Sequence, residues 1–583
     1  MAGRLRRAAP PVLLLGGFLA LAVWLLGATW SAPTTRTLGG GRGDPGVFLW
    51  FLRWTPFAAG RQISPFYSDW LNHPDGVNLM WNTWVPLPGL LLSPLTLAFG
   101  PVLSLNVLYT LGYGLSAWSA YAAIRRYVPN HGAAAAGGLV YGFSPMMLAH
   151  SHHPNLILVF LLPWLFVLVD EVLVRQRWSP LWLGVMLGLV AAAQLLTGEE
   201  LLLATGLLSA ALAVVLALLR PREVSGRVGP ALAALGISLL VFAPLAYLPL
   251  KAQLTGPARV QADITPEVRG SSDLLAVVTP NRLTAIGPEA AFRLGDRFQG
   301  TKETYLGVPM LLVAVAVLVA RRRSLAVQAG FAMLVICLLL SFGARLRIGG
   351  RPTGVPLPWT ALESLPLVQN MVPSRLAVFT ALFAGLLLAA AVDGLWRLGG
   401  WLWRPLAVLT AAVVLAPLVP PQPFRAPPVL ATPAFFTGEG VRALPRDGVA
   451  LVVPFPRVGR PNEAMVWQAE AGMWFKMPGG YFVGPDPDGG TRHDAPPTTT
   501  SVILNRIHRG RRPPELTPEL RRQIAANFAT WRVASVVLGP MDNREVMAGF
   551  LTDLLGRAPA TAGGVAVWPE AAVAPAAPAA RGR

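Results

Sequence analysis

The 583-residue sequence predicts an all-α polytopic membrane protein of about eleven transmembrane helices with a small α/β domain at its C-terminal end. Three observations predict it. Hydrophobic residues make up 54% of the chain and charged residues only 13%, against roughly 25% charged in soluble domains. Apolar runs of membrane-spanning length recur as far as Val419, with arginines gathered between them. After Pro420 and Pro421 the composition turns to that of a soluble domain.

Crossing a hydrocarbon core of ~30 Å takes about 20 mostly apolar residues. Runs near 12–30, 104–124, 133–149, 155–174, 180–197, 200–219, 228–249, 304–320, 325–342, 375–396 and 401–419 qualify. The first follows Arg4, Arg6 and Arg7 as a signal peptide would, but no small-residue cleavage site precedes the next loop, so it reads as an uncleaved span. The run from Val85 to Phe99 decides the orientation of everything after it. Left uncrossed, it places Arg125–Arg126, Arg175–Arg177, Arg220–Arg222–Arg227, Arg321–Arg322–Arg323 and Arg397–Arg404 on the side of the N-terminal arginines, as the positive-inside rule requires. Pro86, Pro88 and Pro94 also weaken a straight helix there, and the run is read as lying at the outer interface. The expected domains are a transmembrane domain, 1–419, with a first outer loop near 31–103, then an extracytoplasmic domain, 420–570, and a disordered Ala/Pro-rich tail, 571–583. The N-terminus is expected in the cytoplasm of a cell (plasma) membrane protein.

The net charge of +19 does not point to nucleic acid, because the basic residues lie in short clusters between apolar runs rather than on one soluble face. Lysine occurs only at Lys251, Lys302 and Lys476. Cys337, the single cysteine, lies inside an apolar run, which excludes an intrachain disulfide and a cysteine metal site. The mean hydropathy of +0.51 excludes an ordinary soluble enzyme.

In the C-terminal segment, Gly448 to Pro456 and Val533 to Gly539 read as buried strands, and Gly564 to Trp568 as a last one. Thr517-Pro518-Glu519 is a helix start, Asn543 is a candidate cap for a helix to about Leu555, and Gly479 to Gly490 reads as a mobile loop. No Walker loop and no GxGxxG after a strand is present.

Candidate chemistry gathers on the outer face. Asp44, in GDPGVFLWFLRW, follows the first span closely, where a carboxylate can serve as general base to a membrane-presented substrate; Asp-Pro-Gly is also a turn. Asp69, His73, Asp75 and Asn78 form a second polar group, of donor types that ligate divalent ions, although His-Pro-Asp-Gly also reads as a turn. A divalent ion, Mg or Mn, is the candidate cofactor, with no metal ligand set assigned. Trp50, Trp54, Trp70, Trp81 and Trp84 read as interface anchors. His150, His152 and His153 cluster at the outer end of the third span and suit a phosphate or a carboxylate. Glu199 and Glu200 open the sixth span, after Thr197 and Gly198 as cap candidates. Outer cations are fewer: Lys251, Arg259, Arg269, Lys302 and Arg375, the last placed to hold a phosphate bidentately.

The early acidic residue in GDPGVFLWFLRW, the proline-rich amphipathic stretch, the second span ending in AAIRRYV, and the pieces HPDGVNLMWNTWVPLPGLLLSPL and LVYGFSPMMLAHSHHPN together resemble the GT-C superfamily of membrane glycosyltransferases, over residues 35–175 above all. Beyond that the resemblance rests on layout and on TKETYLGVP and VPSRLAVF. It implies transfer of a sugar from a polyprenyl-phosphate donor to an acceptor (glycan, lipid or protein) outside the cytoplasm, with Asp44 matching the first-loop catalytic base. The usual acidic pair is incomplete here, since Gly43-Asp44-Pro45 has one carboxylate; Glu199, Asp69 or the histidines are options for its partner. A transporter or flippase of lipid-linked substrates is the alternative, and would place ionisable groups deep within spans.

Overall fold

The computed structural model describes residues 2–41, 43–261, 270–298, 302–365, 367–421, 429–458, 462–486 and 488–574. Arg269, Pro487 in the glycine-rich segment, and the tail from residue 575 lie outside them. The chain divides into two compact units. One comprises Met1–Ser31, Val107–Tyr247 and Asp263–Ala426, the other Ala32–Asn106, Leu248–Ala262 and Pro427–Arg583.

The first unit is helical. Among the described residues, six helices of the chain are long and apolar enough to cross a membrane: His131–Ala149, Pro154–Arg175, Glu199–Leu219, Val228–Thr255, Pro373–Leu398 and Gly400–Leu418. Ala9–Leu25, Pro180–Leu195, Val308–Ala320 and Leu325–Ser341 are shorter apolar helices. The chain is a multi-pass membrane protein. Starts follow local chemistry: Asn130, Ser144 and Ser179 each accept a first-turn N–H, from Ala133, Met147 and Trp182. Ala377–Leu398 lies at the centre, and it meets His131–Gly142 through two glycines, since a Cβ on Gly137 would stand 2.5 Å from the Gly385 carbonyl. Without a hydrophobic effect between helices in lipid, such close backbone contact is what holds spans together. Gly400–Leu418 keeps only 17% of its apolar window buried and shows Trp401 to the outside, as a lipid-facing helix does. The arginine clusters close the other polar ends: Glu171, fully buried, pairs with Arg126 and Arg177, and Asp393 lies 2.9 Å from Arg397 and 3.7 Å from Arg321.

The run from Val85 to Phe99, which belongs to the second unit, forms two short helices, Pro86–Leu91 and Ser93–Phe99, each with proline in its first turn.

The second unit is centred on a four-stranded sheet in the order Val449–Val453, Val533–Leu538, Val565–Trp568, Ala560–Ala562; the first pair is parallel and the others antiparallel. Thr499–His508, Pro518–Trp531 and Arg544–Leu555 pack on it through Ile503, Ile524, Phe528, Leu551 and Leu554. Thr517 caps its helix by accepting from Leu520 N. Asn543 does not: at φ +59° its side chain turns back to donate to His508 O at 3.2 Å. The segment from Gly479 to Gly490 is not an open loop either, because Tyr481–Pro485 pairs antiparallel with Thr491–Asp494. In the same unit the first-loop helix Asp44–Arg61 packs on Glu463–Glu470.

Candidate functional site

Asp44 is the first residue of the helix Asp44–Arg61, where a carboxylate faces the positive end of the helix dipole. Its entry depends on Gly43, whose φ of +65° and ψ of −137° suit only a residue without Cβ. Fully buried Asn462 fixes that turn, accepting from Gly43 N at 2.9 Å and donating to Gly43 O at 2.9 Å. The Tyr481 hydroxyl donates to Asp44 Oδ1 at 2.7 Å. Burial and the charge of Asp44 raise the Tyr481 phenol well above its ordinary value, so it remains a donor.

The helix behind Asp44 is locked by its tryptophans. Trp50 and Trp54 stack at 5.4 Å and are fully buried, so neither is an interface anchor. Trp50 Nε1 donates to Gln468 Oε1 at 2.6 Å, and Gln468 Nε2 donates to Trp70 O at 3.0 Å and Phe475 O at 2.7 Å. Trp84 is also buried, its indole donating to Thr55.

The Asp69 group is held as structure. Lys476 Nζ donates to Asp69 Oδ2 at 2.6 Å and lies 4.5 Å from the Trp70 ring centre, while His73 Nδ1 is 3.4 Å from the same carboxylate oxygen. Burial, then Lys476, lowers the His73 imidazole below its ordinary value. His73-Pro74-Asp75-Gly76 is a turn, closed by the Tyr67 hydroxyl on Asp75 O and by Asn72 Nδ2 on Gly76 O. Asn78 ties the loop to Ala252 O and Pro257 O. A further buried pair stands nearby in sequence: burial pushes the Glu470 carboxyl up to about 6, opposed by Arg53, whose guanidinium burial lowers.

Glu199, Glu200, the histidine cluster, Lys302 and Arg375 belong to the first unit. Glu200 Oε2 pairs with Arg375 Nη1, and Glu200 Oε1 accepts from Val372 N at 2.9 Å. Glu199 starts the same helix as Glu200. Thr197 does not cap that helix, since its hydroxyl donates back to Ala193 O. His150 Nε2 is 3.4 Å from Glu303 Oε1, and the His150 and His153 rings meet at 5.5 Å with 70° between planes. Burial lowers the His150 imidazole, with Glu303 opposing. His152 is half-buried in the turn joining them. Lys302 opens the 3₁₀ turn Lys302–Thr304, which packs against the turn Pro373–Leu376 that carries Arg375. Among the described residues, Glu303 Oε2, Ser374 Oγ and Arg375 Nε are buried without a hydrogen-bond partner, an uncommon concentration for neighbouring turns. A phosphate oxygen would suit Ser374 and Arg375, and a hydroxyl or ammonium donor Glu303.

Among the described residues no group of three or more His, Cys, Asp or Glu side chains comes together as a metal site would require. The Asp69 carboxylate that His73 approaches is paired with the Lys476 ammonium. The sequence reading did not identify Tyr481, Asn462, Gln468 and Lys476, which lie about 400 residues from the loop they hold. Only the excess of polar side chains within the apolar stretch 462–481 hints at them.

Among solved structures, the fold is similar to the oligosaccharyltransferase of Archaeoglobus fulgidus in complex with Zn and sulfate, at 12% identity and a TM-score of 0.51, covering 90% of this chain and 68% of that one. In the apo form of the same protein the match covers 64% of its length, so the chain spans about two thirds of that relative. Weaker likenesses are to ArnT from Cupriavidus metallidurans bound to undecaprenyl phosphate (14% identity, 95% of this chain and 97% of that one, TM-score 0.47) and to the arabinofuranosyltransferase AftD from Mycobacteria (16%, 90% and 36%, TM-score 0.46). The fold is that of the GT-C glycosyltransferases. No curated protein matches the sequence. A family profile matches residues 13–415, more than half of the chain, and the protein therefore belongs to the family described as a domain of unknown function, DUF6311.

Proposed function

We propose that the protein is an integral membrane glycosyltransferase that moves a sugar from a polyprenyl-phosphate donor to a glycan, lipid or protein acceptor outside the cytoplasm. The observation that carries this reading is the Asp44 carboxylate, at the start of a rigid helix and oriented by the Tyr481 hydroxyl. Asp44 takes the proton of the acceptor hydroxyl as its oxygen attacks the sugar carbon, and the bond to the phosphate breaks with its electron pair leaving on the phosphate. Arg375, held by Glu200, meets that charge, with Ser374 as a further donor and Lys302 as a second cation. His150, His153 and Glu303 orient the donor head group. Glu199 and His152 are assigned to the same outer ends of the spans. Asp69, His73 and Asp75, held in the first loop by Lys476 and Tyr67, are assigned to substrate binding.

The topology that accompanies this reading has eleven spans, the N-terminus in the cytoplasm, a transmembrane domain over 1–419 and an extracytoplasmic α/β domain over 420–570. What favours a transferase over a transporter is that Glu171 and Asp393 are compensated by arginines at helix ends.

The test is turnover in nanodiscs with a panel of polyprenyl-phosphate sugars, with and without Mg or Mn and with a chelator. Loss of turnover in a folded Asp44→Asn protein is the expected result. Full turnover in that variant would remove Asp44 from the base role.

A further inference from the structure

The arginine-bearing ends of the spans play no part in the function proposed above. At that end the first unit has a partly open cavity of about 160 Å³. Phe166, Val167, Leu212, Leu216, Ala329 and Leu382 are among the apolar side chains that wall it, and the polar groups among its described lining residues are Tyr127, Asp170 and Arg175. These three form one arrangement. The Tyr127 hydroxyl donates to Asp170 Oδ2 at 2.9 Å, Arg175 Nε lies 2.8 Å from the same oxygen, and the Arg175 guanidinium stands 4.7 Å from the centre of the Tyr127 ring.

An apolar cavity of roughly 150 Å³ stays dry and accepts a hydrocarbon guest of benzene size. A purely apolar guest would make no use of the charged group at one side of this cavity. Arg175 has five N–H donors, and Asp170 takes the one on Nε. Around it the charge is unbalanced, because among the described residues the ion pairs of Arg126, Arg175 and Arg177 are with Asp170 and Glu171, and Arg177 is about half exposed at 53%. An apolar slot beside guanidinium donors at the end of a membrane span matches a lipid with one chain in the slot and a phosphate at the arginines.

We propose that this cavity takes a few carbons of one acyl chain of an anionic phospholipid whose phosphate rests on Arg175, in the leaflet at the arginine-bearing end of the spans. The site is separate from the residues assigned to sugar transfer, so it can hold or fail on its own.

The test uses native mass spectrometry of the full-length protein titrated with palmitoyl-oleoyl phosphatidylglycerol or phosphatidylcholine. Wild type is expected to retain phosphatidylglycerol about fivefold better, the preference one arginine near a membrane surface supplies. Arg175→Gln should bring the two lipids level, and Ala329→Phe, which fills the slot, should abolish tight retention of either. Photolabelling of the wild-type protein with phosphatidylglycerol carrying a diazirine in one chain gives a readout that needs no variant. Labels within 163–175 and 325–330 support the site. Labelling confined to the exposed face of Val228–Thr255, equal retention of both lipids by wild type, or an unchanged preference in Arg175→Gln would overturn it.

Discussion

Replacing Gln468 by methionine tests how the first-loop helix is held. The side chain is fully buried and makes three hydrogen bonds: it accepts from Trp50 Nε1 and donates to Trp70 O and Phe475 O. Methionine is nearly isosteric and opens no cavity, but its thioether is only a weak acceptor. Trp70 O keeps a second donor, Met477 N at 2.9 Å. The Trp50 indole N–H and the Phe475 carbonyl lose the only bonds described for them. A buried polar group left unsatisfied costs about 1–3 kcal/mol, so two of them cost about 4 kcal/mol. For a unit of about 250 residues this lowers the melting temperature by about 8–16 °C. The assay is the thermal transition of the full-length protein in detergent, followed by tryptophan fluorescence, beside turnover at a temperature where both proteins are folded. A shift of less than about 2 °C would refute the reasoning, because it would mean that Trp50 and Phe475 find other partners or water at no cost.

Asp44→Asn is expected to lower turnover by about 10²–10⁴-fold, the range of a general base, with the melting temperature retained. Tyr481→Phe, which removes one hydrogen bond to a carboxylate, should cost about 10–100-fold in kcat/KM in the same assay. Arg375→Lys keeps the charge but not the planar fork that meets Glu200, and kcat/KM for the donor should fall about 10-fold or more in a protein that still folds. Glu470 predicts a pH effect on stability: its carboxyl titrates near 6 when folded and near 4.5 when unfolded, so the folded state binds more protons in that window and stability falls as pH rises through it, by about 2 kcal/mol. Glu470→Gln should flatten the melting temperature between pH 4.5 and 6 relative to wild type; an unchanged slope would remove Glu470 as its source.

Local chemistry made much of the fold legible. Val449–Val453 and Val533–Leu538 are apolar runs of strand length, and Thr517-Pro518 carries its own cap. Where local rules misled, a tertiary contact outweighed them. Asn543 gives up its cap to reach His508 O, and Tyr481–Pro485 pairs with Thr491–Asp494 where glycines and prolines suggested an open loop. The candidate site was legible as separate residues and not as pairs. Glu200 and Arg375 each stood out as ionisable groups at a span end, but 175 residues separate them and neither motif names the other. The Asp44–Tyr481 bond crosses 437 residues, and nothing in a phenol's neighbours in sequence marks it as the donor to a distant carboxylate.

The discontinuity of the second unit also sets a timetable for synthesis. Trp50 waits for a glutamine 418 residues downstream, and at roughly 5–20 residues per second that wait lasts about 20–80 s. During it the Trp50 indole N–H of the helix Asp44–Arg61 lacks its glutamine acceptor, while later spans are still being made. A nascent chain in this state is a client for a holding chaperone or for the bilayer surface itself. Ribosome stalling before residue 460 should therefore leave a protease-sensitive first loop on an inserted membrane domain, whereas release beyond residue 570 should protect it.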